Sequence, residues 1–269
     1  MLQLEPLLDV DRLRSTLDRD RGIFERNRPF PHLIIDDFLV PETAQRLAGR
    51  FPDLDAKAKA IARLLEGRSY ATNLDRYGVE FIEAFDALGA PDFTAYLREL
   101  TSVGDLEIDP LAIGGGIHQG ARGSTLHVHA DTNVNSADAS RYRRINVMLY
   151  LSPDWDASWG GNLDLYDRTG TKQLASIEPR FNRAVVLEIG DDSFHGYKSL
   201  RCPSSTTRKA LAAHYYSDAP GPRQIVEPHD TIRSHPGGPT LLGRAVYKIR
   251  RKIFVMVMSV DGITPTPKA

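Results

Sequence analysis

The chain has 269 residues, 41% of them hydrophobic and 26% charged, with a formal net charge of -1. That composition suits a globular protein with a buried core, and its near-neutral charge excludes the basic field that nucleic acid demands. A single cysteine, Cys202, excludes a disulfide framework and a cysteine-based zinc site.

Nowhere does the sequence approach the roughly 18 apolar residues that would span a bilayer. Glu5, Asp9 and Asp11 interrupt any apolar stretch of a signal peptide, so the cytoplasm is the expected compartment. In residues 1–28, Leu7, Leu8, Val10, Leu13 and Leu17 recur at helical spacing. Pro29-Phe-Pro-His32 breaks that pattern, and residues 33–38 predict a short strand. Pro41 suits the first turn of a helix running to about Phe51. Residues 54–66 read as helix, and residues 78–102 as two helical pieces parted near 89–91. From about residue 111 the pattern changes to short apolar runs separated by Gly, Asp, Asn or Pro. Residues 111–118, 125–130, 145–151, 162–166, 173–177, 184–189 and 209–216 predict strands. Helices first and strands second give an α+β order, with the strands forming a sandwich or barrel. Beyond Pro220 a Pro/Gly loop runs through residues 236–239. Residues 241–254 then predict a basic amphipathic helix, Lys248, Arg250, Arg251 and Lys252 beside Val246, Ile249 and Ile253. Its basic face is either solvated or a contact for an anionic lipid or partner. Residues 264–269 read as frayed.

The stretch with most chemistry is Thr125-Leu-His-Val-His-Ala-Asp131. Alternate residues of a strand share a face, so His127, His129 and Asp131 are expected on one side. Two imidazoles and a carboxylate on one side of an ion, with open positions opposite, form the facial site of non-haem iron(II) proteins. His195, in Ser-Phe-His-Gly, supplies the second imidazole if strand ends meet at a barrel mouth. His129 is preferred over His127 because a carboxylate stands next but one to it; His127 then serves as a substrate contact or a support. An all-histidine site would favour zinc or copper instead. Arg208 heads a strand face that continues through Ala210, Ala212 and His214, and its guanidinium can fork onto a carboxylate. That fits a dicarboxylic cosubstrate, and the phenol of Tyr150 can donate to the same carboxylate. In Trp155-Asp-Ala-Ser-Trp159-Gly-Gly161 the tryptophans are either core or lid. Arg144, Trp159 and His214 join His127 as candidate substrate-side or supporting residues.

Taken together, these motifs resemble the iron- and 2-oxoglutarate-dependent dioxygenases, and more narrowly the prolyl hydroxylase group. The resemblance runs from about Gly115 to Tyr216. Residues 150–163 carry its strongest stretch, followed by Ile177-Glu-Pro-Arg-Phe-Asn-Arg183. Pro29-Phe-Pro-His-Leu-Ile-Ile-Asp-Asp-Phe-Leu39 is similar to the lead-in of many bacterial members. The resemblance implies a double-stranded β-helix, or jelly roll, with N-terminal supporting helices, to which the pattern of residues 241–254 adds a C-terminal helix. It implies one oxygenase domain over residues 1–269, divided into helical support at 1–105, the β-helix at 106–220, and a loop and basic helix at 221–269. It implies Fe(II) on His129, Asp131 and His195, with 2-oxoglutarate held by Arg208 and Tyr150. Gln119 falls where the oxygen-sensing members place a tyrosine that reaches the cosubstrate. Lys198 and Arg201 are rivals to Arg208, which lies slightly later than in those members. Dioxygen is the co-reactant and ascorbate a candidate reductant.

The implied reaction hydroxylates an unactivated C–H bond and releases succinate and carbon dioxide. Related halogenases carry a small residue at the position of Asp131, so a carboxylate there argues for hydroxylation. The substrate is a prolyl residue or a small molecule. The alternatives are a cupin-like binding module without catalysis, and desaturation or cyclisation at the same centre.

Overall fold

The structure, a computed structural model, describes residues 7–54, 68–226, 228 and 231–233. The helices expected beyond Leu54 and over 241–254, and the frayed end at 264–269, lie outside the described residues.

The N-terminal periodicity folds as α1 (Val10–Ser15) and α2 (Leu17–Arg26) rather than as one helix. Asp9 caps α1 by accepting from the Arg12 amide at 2.9 Å. The break falls at Thr16, whose hydroxyl donates to Asp20 at 2.6 Å instead of continuing the helix. Strand β1 (His32–Ile35) and helix α3 (Pro41–Gly49) follow, with Pro41 in the first turn. After β2 (Arg68–Ala71) come α4 (Val79–Gly89) and α5 (Pro91–Thr101). These two part at Ala90, because a residue before proline is pushed to extended backbone.

The remaining strands are β3 (Glu107–Ile108), β4 (Gly116–Gly120), β5 (Leu126–Ala130), β6 (Tyr142–Tyr150), β7 (Leu163–Tyr166), β8 (Gln173–Ile177), β9 (Ala184–Glu188), β10 (His195–Tyr197), β11 (Arg208–Ser217) and β12 (Ile232–Arg233). The strand expected from residue 111 begins later. Asp109 accepts from the amides of Leu111 at 3.1 Å and Ile113 at 2.8 Å, and Gly114 and Gly116 adopt positive φ, so this segment is a turn.

A seven-stranded sheet runs β1-β9-β6-β11-β4-β2, with β3 on β11. A five-stranded sheet runs β12-β5-β10-β7-β8. From β4 to β11 the chain passes repeatedly between the two sheets, the winding of a jelly roll. The helices cover the outer face of the larger sheet. Phe81, Phe93, Tyr96 and Leu97 form one core there with Ile117, Val147, Leu149, Leu211 and Tyr215. A second core fills one end of the space between the sheets, from Phe30, Tyr150, Leu163, Val185 and Leu187. The Asn182 side chain exchanges two hydrogen bonds with the backbone of Leu39, and Arg183 forks onto Asp36 at 2.6 and 2.9 Å. The Glu-Pro-Arg-Phe-Asn-Arg motif thus ties the N-terminal segment to β9. The other end of the inter-sheet space stays open as a cavity, and the chemistry-bearing residues collect there.

Candidate metal centre

Strands β5 and β10 are antiparallel neighbours, and His129 pairs directly with His195. Both rings therefore enter the same cavity, their centroids 4.5 Å apart. Each imidazole uses Nδ1 on a backbone carbonyl two residues back, that of His127 at 2.8 Å and that of Ser193 at 2.9 Å. An Nδ1–H donating to a carbonyl leaves Nε2 as the bare nitrogen, the form in which a histidine ligates a metal. Asp131 follows β5 and completes the set. Its Oδ1 lies 3.3 Å from His129 Nε2, and its Oδ2 lies 3.9 Å from His195 Nε2. One donor atom from each of His129, Asp131 and His195 falls within 4.8 Å of the others. Two neutral imidazoles and a carboxylate, nearly shut from solvent, fit Fe(II) by donor type and number.

Burial alone would push the Asp131 carboxyl up. The adjoining imidazoles and the guanidinium of Arg143 outweigh it and hold the group well below the usual carboxylate range. Asp131 is thus ionised and ready to ligate.

His127 behaves differently from its expected partner. Between His195 and Tyr197 the register of β10 on β5 slips, because His195 pairs with His129 but Tyr197 with Leu126. An extra residue on β5 is a bulge, and it ends the strict alternation assumed from the sequence. His127 is consequently exposed while His129 is buried, and it does not line the cavity.

The register on β11 decides the other predicted positions. Arg208, Ala210, Ala212 and His214 face inward, opposite Gly120, His118, Tyr150, Met148 and Asn146 on the flanking strands. Arg208 is buried, donates from Nε to the Gly161 carbonyl at 2.8 Å, and lies 4.7 Å from the ring centres of both Tyr150 and Tyr197. Its terminal nitrogens pair with no carboxylate among the described residues. The Tyr150 hydroxyl beside it is buried without a hydrogen bond of ordinary geometry; burial pushes this phenol up, and Arg208 pulls the other way. A buried guanidinium and a buried phenol lacking an acceptor leave room for a carboxylate to satisfy both. Gly161 makes the arrangement possible. Its φ is +77°, and a Cβ there would stand 2.7 Å from Leu200 and 3.0 Å from Arg208 Cδ.

Gln119 touches the cavity, yet it pairs with Lys209 and so alternates away from Arg208. Its amide donates to Thr207 at 3.2 Å, and the inward position on β4 belongs to His118, stacked on Tyr70. Lys198 and Arg201 are exposed, Lys198 donating to Gln173 at 2.7 Å, so neither rivals Arg208. Arg144 turns outward to Ser217 and Ala219. Trp159 packs edge-on against Trp155 behind Tyr197 and Leu200, forming an outer wall without lining the cavity. His214 does line it; burial, then the charge of Arg143, keep this imidazole neutral by holding it well below its ordinary value.

Some residues in and around the cavity escape sequence reasoning. Asn146 donates to Asp131 Oδ2 at 2.7 Å, and Arg143 Nη1 lies 3.5 Å from the same oxygen. Tyr197 stacks on Arg208. Nothing in the local pattern marks them, since each is an ordinary strand residue until the register is known.

Comparison with known proteins gives the same direction. The model of the 2OG-Fe(II) oxygenase superfamily matches residues 115–216. Prolyl 3-hydroxylase OGFOD1 of Mus musculus is 37% identical over 78 residues, which are 28% of this chain and 14% of that protein. Its Xenopus laevis counterpart is 38% identical over 71 residues, 25% of this chain and 14% of that protein. The match thus spans only 14% of the length of these curated relatives. Among solved structures, a prolyl 4-hydroxylase from Phytophthora capsici aligns with a TM-score of 0.50 and 14% identity, over 81% of this chain and 68% of that one. That likeness shows a shared fold. The stretch that matches the 2OG-Fe(II) oxygenase superfamily model, residues 115–216, is the one that carries the donor set of the cavity.

Proposed function

We propose that the chain is an Fe(II)- and 2-oxoglutarate-dependent hydroxylase acting on a prolyl residue of a peptide. The observation that carries this reading is the meeting of His129, Asp131 and His195 in one cavity with a buried guanidinium that has no carboxylate partner among the described residues. His129 Nε2, His195 Nε2 and the Asp131 carboxylate would hold the iron. Bound there, Fe(II) supplies the redox chemistry by which 2-oxoglutarate, dioxygen and a C–H bond become succinate, carbon dioxide and a C–OH group.

The protein's part is binding, orientation and exclusion of water. Carbonyls of His127 and Ser193 hold the two imidazoles in their ligating tautomer. Arg208 grips the distal carboxylate of 2-oxoglutarate through two parallel N–H donors, and Tyr150 adds a third. Tyr150 and Tyr197 brace the guanidinium by stacking on it. Leu163, Leu187 and Met148 line the chamber with apolar surface, which keeps water from the reacting groups. His118 and His214 stand on the inward face of the larger sheet and are placed to meet the substrate.

The prolyl substrate is supported by the OGFOD1 relatives, which are named prolyl 3-hydroxylases. We also read residues 1–269 as one oxygenase domain, supported by the shared core of the helices and the larger sheet. The cytoplasm is the compartment we assign, on the single buried free Cys202. No helix among the described residues is long and apolar enough to cross a membrane.

The test is succinate release from 2-oxoglutarate with iron and a panel of prolyl peptides, with mass spectrometry of the peptides. We expect a gain of one oxygen that depends on both iron and 2-oxoglutarate, and its loss in Asp131→Ala. Undiminished turnover in that variant overturns the reading.

A further inference from the structure

Strand β6 places two buried side chains against Asp131. Asn146 and Arg143 are 7% and 6% exposed. Asn146 Nδ2 donates to Asp131 Oδ2 at 2.7 Å, and Arg143 Nη1 stands 3.5 Å from that same oxygen. The other oxygen, Oδ1, is the one beside His129 Nε2, at 3.3 Å. Oδ2 also lies 3.9 Å from His195 Nε2, but it alone carries the Asn146 hydrogen bond. Arg143 is itself held in place: its Nε and Nη2 donate to the Tyr216 hydroxyl at 3.1 and 3.0 Å, across the registered pair of β6 and β11.

We infer that Asn146, backed by Arg143, is a positioning residue that keeps Asp131 a ligand through one oxygen only. This rests on the reading of His129, Asp131 and His195 as metal ligands. The reason lies in counting positions around an octahedral ion. Two imidazoles and one carboxylate oxygen would leave three positions of such an ion for other ligands. A carboxylate ligating through both oxygens would leave one fewer. A hydrogen bond to an ionised oxygen is of the strong kind, and burial shields it from competing water. An amide is suited to the role. It donates to Oδ2 without adding a charge, whereas a second carboxylate at this position would compete for the metal.

The experiment uses the full chain loaded with Co(II), whose visible absorption reports coordination number and whose affinity is measured by chelator competition. Wild type, Asn146→Leu and Asp131→Ala are compared with and without 2-oxoglutarate. Asn146→Leu keeps the volume and removes the donor. We expect it to bind Co(II) about 10- to 100-fold more weakly, the usual loss when a group supporting a ligand is removed. We also expect a changed absorption spectrum, which a merely structural role for Asn146 would not produce. If Asn146→Leu fails to fold, Asn146→Val is judged by the same two readouts. Wild-type affinity together with an unchanged spectrum overturns the inference, while loss of binding in Asp131→Ala alone leaves the metal centre standing. If wild type binds no Co(II), the reading of the centre falls and this inference with it.

Discussion

His129 and His195 stand directly opposite one another in the β5–β10 pair, so the relative position of two strands sets the relative position of two donor atoms. The next residue, Gly196, permits that closeness. A Cβ there would stand 2.5 Å from the Leu126 carbonyl oxygen and 3.2 Å from the Val128 nitrogen. Both atoms are backbone and cannot step aside without moving β5. Gly196→Ala should therefore push the strands apart at the bulge and separate the two imidazoles. We expect Co(II) affinity to fall at least about tenfold, with roughly 1–3 kcal/mol of lost stability from overpacking. Chelator competition and urea unfolding measure the two effects. A variant with native metal affinity would show that this contact does not set the spacing.

Tyr150→Phe should act with opposite sign on stability and on binding. In the free protein the Tyr150 hydroxyl is buried and makes no hydrogen bond of ordinary geometry. Removing an unsatisfied buried polar group relieves a cost, so the variant should be as stable as wild type or more so. The same hydroxyl is placed to donate to a carboxylate on Arg208. A hydrogen bond to a charged group is worth about 1.5–3 kcal/mol, so 2-oxoglutarate should bind roughly 10- to 100-fold more weakly. Thermal unfolding and 2-oxoglutarate titration together decide it; loss of both properties would make Tyr150 a packing residue.

How far these positions can be read beforehand depends on what each one requires. A run such as residues 173–177 declares itself by pattern, and β8 has those same bounds. His129, Asp131, His195 and Arg208 stand out as residue types, and their convergence needs only the chain order of a jelly roll. Asn146 and Arg143 are different, because their role exists only through the register of β6 on β11 and the facing of the β6 sheet against the sheet that holds β5. The exposure of His127 could not be read either, since a bulge is a property of two strands and the alternation rule describes one. Gln119 shows the same limit: a shift of one residue on β4 exchanges it for His118. Strand β10, with three residues, is too short for periodicity to register.

Acid should weaken the metal-free protein in the range where histidines titrate, and His32 is one measurable source. Burial lowers its affinity for a proton below the ordinary value near 6.5, although the Phe30 carbonyl on Nδ1 works the other way. Between its folded value and about 6.5 the unfolded chain carries a proton that the folded chain does not. Stability therefore rises with pH across that window and falls as pH is lowered through it. His214 contributes with the same sign. Urea unfolding in chelator at pH 7.5, 6.5 and 5.5 should show a smaller loss for His32→Gln than for wild type. Parallel profiles would mean that His32 is protonated equally in both states.

Gly161→Ala separates the cosubstrate end of the chamber from the metal end. Gly161 has φ +77°, a conformation that costs an L-residue about 1–2 kcal/mol. Its added methyl would meet Arg208 Cδ at 3.0 Å and Leu200 at 2.7 Å, while its carbonyl anchors Arg208 Nε. The side chains that must yield are thus Leu200 and Arg208, and any shift of Arg208 displaces its guanidinium in the chamber. The metal donors sit on β5, at its end and on β10, and none of them touches Gly161. We expect 2-oxoglutarate affinity to fall about tenfold or more, with Co(II) affinity in its absence unchanged. Both follow from titrating the Co(II)-loaded protein with 2-oxoglutarate after measuring metal binding alone. A parallel loss of metal and cosubstrate would tie Arg208 to the metal centre as one rigid unit; native affinity for both would place the carboxylate grip on a residue other than Arg208.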